Sequence, residues 1–114
     1  MERVVLVYTT YPSLVEAEKA GRSVVAQRLA ACVNILPGMV SHYWWNGKLE
    51  RGEEVVMIIK TRASFADRVR KAVKAEHPND TPAIMVIPVE SVEDTYLRWI
   101  MNETDRAAMA SAAG

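Results

Sequence analysis

The stretch Leu29–Glu50, LAACVNILPGMVSHYWWNGKLE, constrains the fold more than any other part of the chain. Its Asn46-Gly47 pair marks a tight hairpin, because both central residues of a type I′ turn need positive φ. The same stretch carries the single cysteine, Cys32, and one of the two histidines, His42. It also holds two of the three tryptophans, Trp44 and Trp45. An aromatic cluster beside a tight turn, on so long a strand, makes poor sense in an isolated small domain. It reads as a strand that other subunits bury.

The flanking sequence supplies the other elements. Arg3–Thr10 is short and rich in β-branched residues, and predicts a strand ended by Pro12. Ser13-Leu14-Val15-Glu16 fits a capping box, with Ala17, Gly21, Val24, Val25 and Leu29 following at helical spacing. The reading is an amphipathic helix over Leu14–Leu29. Ala31–Leu36 is a strand that Pro37-Gly38 breaks or bulges. Met39–Trp45 resumes it, and Glu53–Thr61 returns antiparallel. Poor alternation in Val55–Ile59 predicts burial on both faces. Ser64, with Asp67 in the box position, starts a second helix with an apolar stripe of Phe65, Val69, Ala72 and Val73. His77-Pro78 ends that helix, since the residue before proline avoids the helical region. Ala83–Val89 is a strand whose Pro88 argues for a sheet edge or strand end. Ser91-Val92-Glu93-Asp94 is a third cap-like start, followed by Tyr96, Leu97, Ile100 and Met101. The order is β-α-β-β-α-β with an added C-terminal helix, the ferredoxin-like pattern: an α+β fold with an antiparallel sheet. Helices cover one face of that sheet, and a subunit interface is the natural place for the other.

The chain has 114 residues, which makes residues 1–114 one domain with no room for a second core. The biased tail, Asp105–Gly114, reads as a frayed helix end. Lys plus Arg equals Asp plus Glu at 14 each, so no global field steers the protein to nucleic acid. No apolar run approaches the roughly 20 residues of a membrane span. The N-terminus runs straight into a strand pattern and is not read as a signal peptide. A single cysteine makes no internal disulfide, which fits a cytoplasmic location.

The residues placed on this frame resemble the CutA, or divalent-cation tolerance, family. The matching motifs are Ala30–Ile35 (AACVNI) with Pro37-Gly38, Tyr43-Trp44-Trp45 with Gly47-Lys48, and Lys60-Thr61-Arg62. They continue with His77-Pro78, Pro82 with Ile84, and Tyr96-Leu97 with Trp99. They fall in order from Val4 to about Glu103. The resemblance implies a compact homotrimer like the PII signal proteins, with Tyr43, Trp44 and Trp45 as interface material. It implies tolerance to divalent cations, copper above all. Three departures stand out. Asn79 and Ala83 replace a commoner Tyr and Glu, and Thr9 and Thr10 stand where some members carry a second cysteine.

Candidate chemistry centres on few residues. Cys32 is a soft ligand for copper or zinc, or a small hydrophobe in a buried strand. His77 is a metal ligand or charge switch, or a residue that favours the helix C-terminal dipole. His42 has no partner at ligand spacing and reads as a strand or interface residue. Lys60 is an anion-holding residue of an intersubunit cleft, or a solvated strand end. Asp80 and Glu76 are oxygen donors that could complete a shared metal site. Three scattered N or S candidates do not make a closed zinc site, so the expectation is weak metal binding shared between subunits. No Gly-rich phosphate loop, HExxH or nucleophile elbow is present. The sequence therefore reads as a non-enzymatic homotrimer that binds copper or another divalent cation, with no organic cofactor. The alternative is a PII-like small-ligand or anion sensor, although Asn46-Gly47 closes the hairpin tightly where PII proteins use a long flexible loop. An RNA-binding module of the same element order ranks last, because the strands lack its aromatic signature.

Overall fold

A computed structural model describes the backbone of residues 2–113, with side chains to residue 105. The elements run β1 (Val4–Tyr11), α1 (Leu14–Ala26), β2 (Cys32–Trp45), β3 (Lys48–Arg62), α2 (Ala66–Glu76), β4 (Ile84–Pro88) and α3 (Asp94–Ala113). A short 3-10 turn, Ala63–Phe65, precedes α2. The sheet order is β2-β3-β1-β4, with antiparallel pairing throughout. This is the expected α+β arrangement with the added C-terminal helix. Fraying of Asp105–Gly114 falls largely outside the residues whose side chains are described.

Strand alternation divides the sheet into two chemically different faces. Val7 and Tyr11 of β1, Val55, Met57 and Ile59 of β3, and Val33 and Ile35 of β2 point under α1 and α2. There they meet Ala17 and Val24 of α1 and Phe65, Val69 and Val73 at α2. Gly21 marks the closest approach of α1: a Cβ there would stand 2.8 Å from Val33 Cγ2 and 3.0 Å from Met57 Sδ. The opposite face carries Leu6, Tyr8, Val56, Ile58, Leu36, Met85 and Ile87. α3 closes one end of it, packing Ile100 and Met101 on Val4 and Ala31. The rest is left open, with Leu36 and Met85 each 53% exposed.

Several boundaries move for identifiable reasons. α1 stops at Ala26 rather than Leu29, because Arg28 turns to φ 64°. The Leu29 amide then bonds back to the Val24 carbonyl, and that of Arg28 to Val25, which is a Schellman termination. Ser64 does not cap the second helix with its side chain. Its own backbone N–H donates to the Glu2 carboxylate at 2.9 Å, and the helix proper begins at Ala66. α3 likewise starts at Asp94, past Ser91. β3 is longer than Glu53–Thr61 because pairing begins at the turn itself, Trp45 opposite Lys48. Pro37-Gly38 bulges β2 without ending it: the register slips between Leu36 and Met39, and Gly38 takes φ 87°. Asn46 and Gly47 take φ 50° and 77°, as a type I′ turn requires. The central position of β3 gives Val55–Ile59 the two-sided burial its composition calls for. Pro88 lies on an edge strand.

Candidate functional site

The hairpin of β2 and β3 runs on past the edge of the globular body. Beyond the bulge, Met39, Ser41, Tyr43 and Trp45 continue the open face, while Val40, His42 and Trp44 continue the other face past the helices. Trp44 is 73% exposed, and Tyr43, Trp45, Val40 and Leu49 are exposed too. The hairpin is thus apolar on both sides. The Tyr43 ring lies over Gly52, where an added Cβ would be in ordinary contact with it, 3.4 Å from its hydroxyl. At the hairpin base Glu54 accepts from Ser41 Oγ at 2.7 Å and from Thr10 Oγ1 at 3.3 Å. These bonds fix the angle at which the arm leaves the body. His42 is exposed opposite Arg51, as a strand residue.

A polar cluster interrupts the open face where three elements meet. Cys32 of β2 pairs in register with Lys60 of β3. Tyr96 of α3 reaches over both: Lys60 Nζ donates to Tyr96 Oη at 3.1 Å, and Cys32 Sγ lies 3.7 Å from the same oxygen. The Lys60 ammonium also lies 5.4 Å from the centre of the Tyr96 ring. Trp99, one turn along α3, stacks on Tyr96 with ring centres 5.5 Å apart. The hydrogen bond to Tyr96 raises the Lys60 pKa above its ordinary value. Desolvation works against that, and negative charge on Cys32 or Tyr96 adds to it. Cys32 is only half-buried, so the reading of it as a core hydrophobe is corrected. It begins the strand at the open face, where α3 arrives through Tyr96 rather than through an apolar side chain. Tyr96 is the residue that sequence reasoning missed as chemistry. Its spacing to Leu97, Ile100 and Met101 placed it on a helix, but nothing local showed that its hydroxyl would meet β3.

His77 lies elsewhere. Its ring stacks on Tyr11 at 4.4 Å, and Nε2 is 2.7 Å from the Thr10 carbonyl. The Asn79 amide donates to Nδ1 at 3.1 Å, which assigns the proton to Nε2. Both nitrogens are engaged, and a metal on Nδ1 would displace the Asn79 bond. Thr10 is four residues along β1 from Leu6, the partner of Lys60. That spacing is about 13 Å at strand rise, so the structure does not bring His77 to Cys32. Asp80 is exposed three residues after His77, and the polar neighbours of Lys60 are Tyr96 and Cys32 instead. Among the described residues no three His, Cys, Asp or Glu side chains gather closely enough to hold a metal ion. Within one chain a divalent cation would find one soft donor, Cys32, with an ammonium beside it. That donor set fits a cation poorly.

The third anchoring feature is Arg62, which is 8% exposed. Its guanidinium binds Thr104 Oγ1, the Met101 carbonyl, Asp105 and Glu2. This ties α3 and the N-terminus to β3, and so fixes Tyr96 over Lys60. Burial alone would raise the Glu2 carboxyl. The Ser64 amide and the Arg62 charge outweigh it and hold Glu2 below the usual carboxylate range.

A family model described as "CutA1 divalent ion tolerance protein" matches residues 5–103. The chain is 39% identical over 103 residues to the "Divalent-cation tolerance protein CutA" of Pyrococcus horikoshii, covering 90% of this chain and 100% of that protein. It is 40% identical over 100 residues to "Protein CutA 1, chloroplastic" of Oryza sativa, covering 88% of this chain but 56% of that longer protein. The crystal structure of CutA1 from Oryza sativa superposes with a TM-score of 0.87 at 39% identity, over 90% of this chain and 94% of the other. With most of its length matched in sequence and in fold, the chain belongs to the CutA1 divalent ion tolerance family.

Proposed function

We propose that the protein works as a homotrimer in divalent-cation tolerance, binding copper or another divalent cation weakly and catalysing no reaction. The observation that carries this reading is the open sheet face with its arm. Leu36, Met85, Ile87, Tyr96, Trp99 and the hairpin aromatics are all exposed in one chain, and gathered exposed apolar side chains mark interaction surfaces. Tyr and Trp are also the residues that anchor interfaces. Copies of the chain that cover this face would bring their Cys32 thiols into a shared interior. Weak binding follows from the chemistry of one chain: Cys32 is a lone soft donor, Lys60 repels a cation, and His77 is engaged on both nitrogens. A cytoplasmic location rests on the free thiol alone. Calorimetric titration of the purified protein with copper tests the metal part. The reading expects weak, saturable heat that Cys32→Ser abolishes and His77→Ala leaves largely in place. Absence of saturable heat in the wild-type protein sinks it.

A second reading, a small-anion sensor with its cleft at Lys60, has one specific observation in its favour. The charge on the open face is a cation, and its partner there is the Tyr96 hydroxyl, which accepts from Lys60 Nζ, rather than a carboxylate.

A further inference from the structure

Lys60 and Glu54 both lie on the open face, and each meets only neutral partners among the described residues. Lys60 Nζ donates to the Tyr96 hydroxyl at 3.1 Å. Glu54 accepts from Ser41 Oγ at 2.7 Å and Thr10 Oγ1 at 3.3 Å. The ion pairs among the described residues join Arg28, Arg51, Arg62 and Arg70 to carboxylates, and none includes Lys60 or Glu54. Strand alternation sets the two charges on the same side of β3, with Val56 and Ile58 between them. They are six residues apart on that strand, about 20 Å at strand rise, so they do not meet within one chain. Glu54 is already half-buried, beside a Thr10 that is 4% exposed. Glu50 shares this side of the hairpin, but it is exposed, and Lys48 stands two residues away on the same side.

Copies of the chain that cover the open face take both charges out of water. A buried charge without a partner is costly. A three-fold ring closes by a heterologous contact, in which one patch of a copy meets a different patch of the next. Lys60, at the α3 end of the face, and Glu54, at the base of the arm, are two such patches of opposite sign. Resting on the homotrimer reading and deepening it, we propose that Lys60 of one protomer pairs with Glu54 of the partner subunit across each interface. Lys60 Nζ donates to the carboxylate. An ammonium has three N–H groups and an ionised carboxylate about four lone-pair sites, so both have capacity for this bond beside those made in their own chain. The pair also sets the direction of assembly. Copies that bring Lys60 to Lys60, or Glu54 to Glu54, repel one another.

Sedimentation of the full-length protein over a concentration series tests the pair. Lys60→Glu and Glu54→Lys each set like charges opposite one another. Each is expected to raise the concentration at which the assembly dissociates by at least about tenfold. The double reversal restores opposite charges and returns that concentration toward the wild-type value. Lys60→Met and Glu54→Gln remove one charge without adding a wrong one, and Gln still accepts from Ser41 and Thr10. Each weakens association several-fold with an unchanged circular dichroism spectrum, which carries the test should a reversal fail to fold. Wild-type association in both Lys60→Met and Glu54→Gln overturns the pair and leaves the homotrimer standing. A folded double reversal that associates no better than the single reversals also overturns the pair. A wild-type protein that stays monomeric overturns both readings.

Discussion

The two faces of the sheet come from the same strands and teach opposite lessons. Under α1 and α2, every second residue meets a partner from another element of the same chain. Met57, Ile59, Val7 and Val69 are fully buried, and Gly21 is there because nothing larger fits. On the open face many of the intervening residues are apolar too, but Leu36, Met85 and Ile87 meet no covering element, and the hairpin carries aromatics into solvent. The first face explains why one chain folds. The second is the observation behind the proposal that copies of the chain work together. A polar interruption of it, the Lys60 cluster, stands where the two concerns meet, at the edge of α3.

Substitutions can break this contrast directly. The largest loss of fold stability is expected from Ile59→Ala, about 2–5 kcal/mol, because its side chain is fully enclosed under the helices. Thermal or denaturant unfolding checks it. Trp45→Ala reverses the pattern. Its ring continues the open face and is 52% exposed in one chain, so the fold of that chain should change by no more than about 0.5 kcal/mol. Self-association should weaken by about 2 kcal/mol or more, read by sedimentation over a concentration series. Equal losses in both measurements would erase the distinction between the faces. Gly21→Ala sharpens it from the other side. Alanine is the better helix former by about 1 kcal/mol, yet the contacts with Val33 and Met57 should make the variant less stable by roughly 1–3 kcal/mol.

The smaller effects are in pH. The Glu2 carboxyl sits below its unfolded value, so its contribution is present above about pH 4.5 and is lost as pH falls through the folded value. Glu2→Gln should cost about 0.5–1 kcal/mol at neutral pH and flatten the acid limb of the stability curve. Tyr11 works at the opposite end. Burial, with the nearby charge of Glu76, pushes its phenol up to about 12. The folded state therefore loses stability as pH rises from about 10 toward that value. Tyr11→Phe should remove that alkaline slope, and would also relieve a buried hydroxyl that finds no partner in the structure.

Much of the fold is local in origin and was legible in sequence. Asn46-Gly47 needs only its own φ values, Pro88 needs only a sheet edge, and the Phe65, Val69, Val73 stripe needs only helical spacing. The misjudged boundaries involve distant chain. The start of α2 depends on Glu2, 62 residues from Ser64 in sequence. The candidate site suffered most from this. Lys60 and Cys32 were visible as residues, but their union depends on a strand register and on α3, which Arg62 anchors through bonds to Thr104 and Met101. His77 stood out by its motif, and its neighbours Tyr11, Thr10 and Asn79 show it holding the end of α2 in place.

The central claim, that copies of this chain cover the open face, is tested most directly by sedimentation equilibrium of the purified protein at micromolar concentration. The account predicts a single species of three times the chain mass, which Trp45→Ala shifts toward dissociation. A wild-type protein that remains monomeric across the concentration series would contradict it.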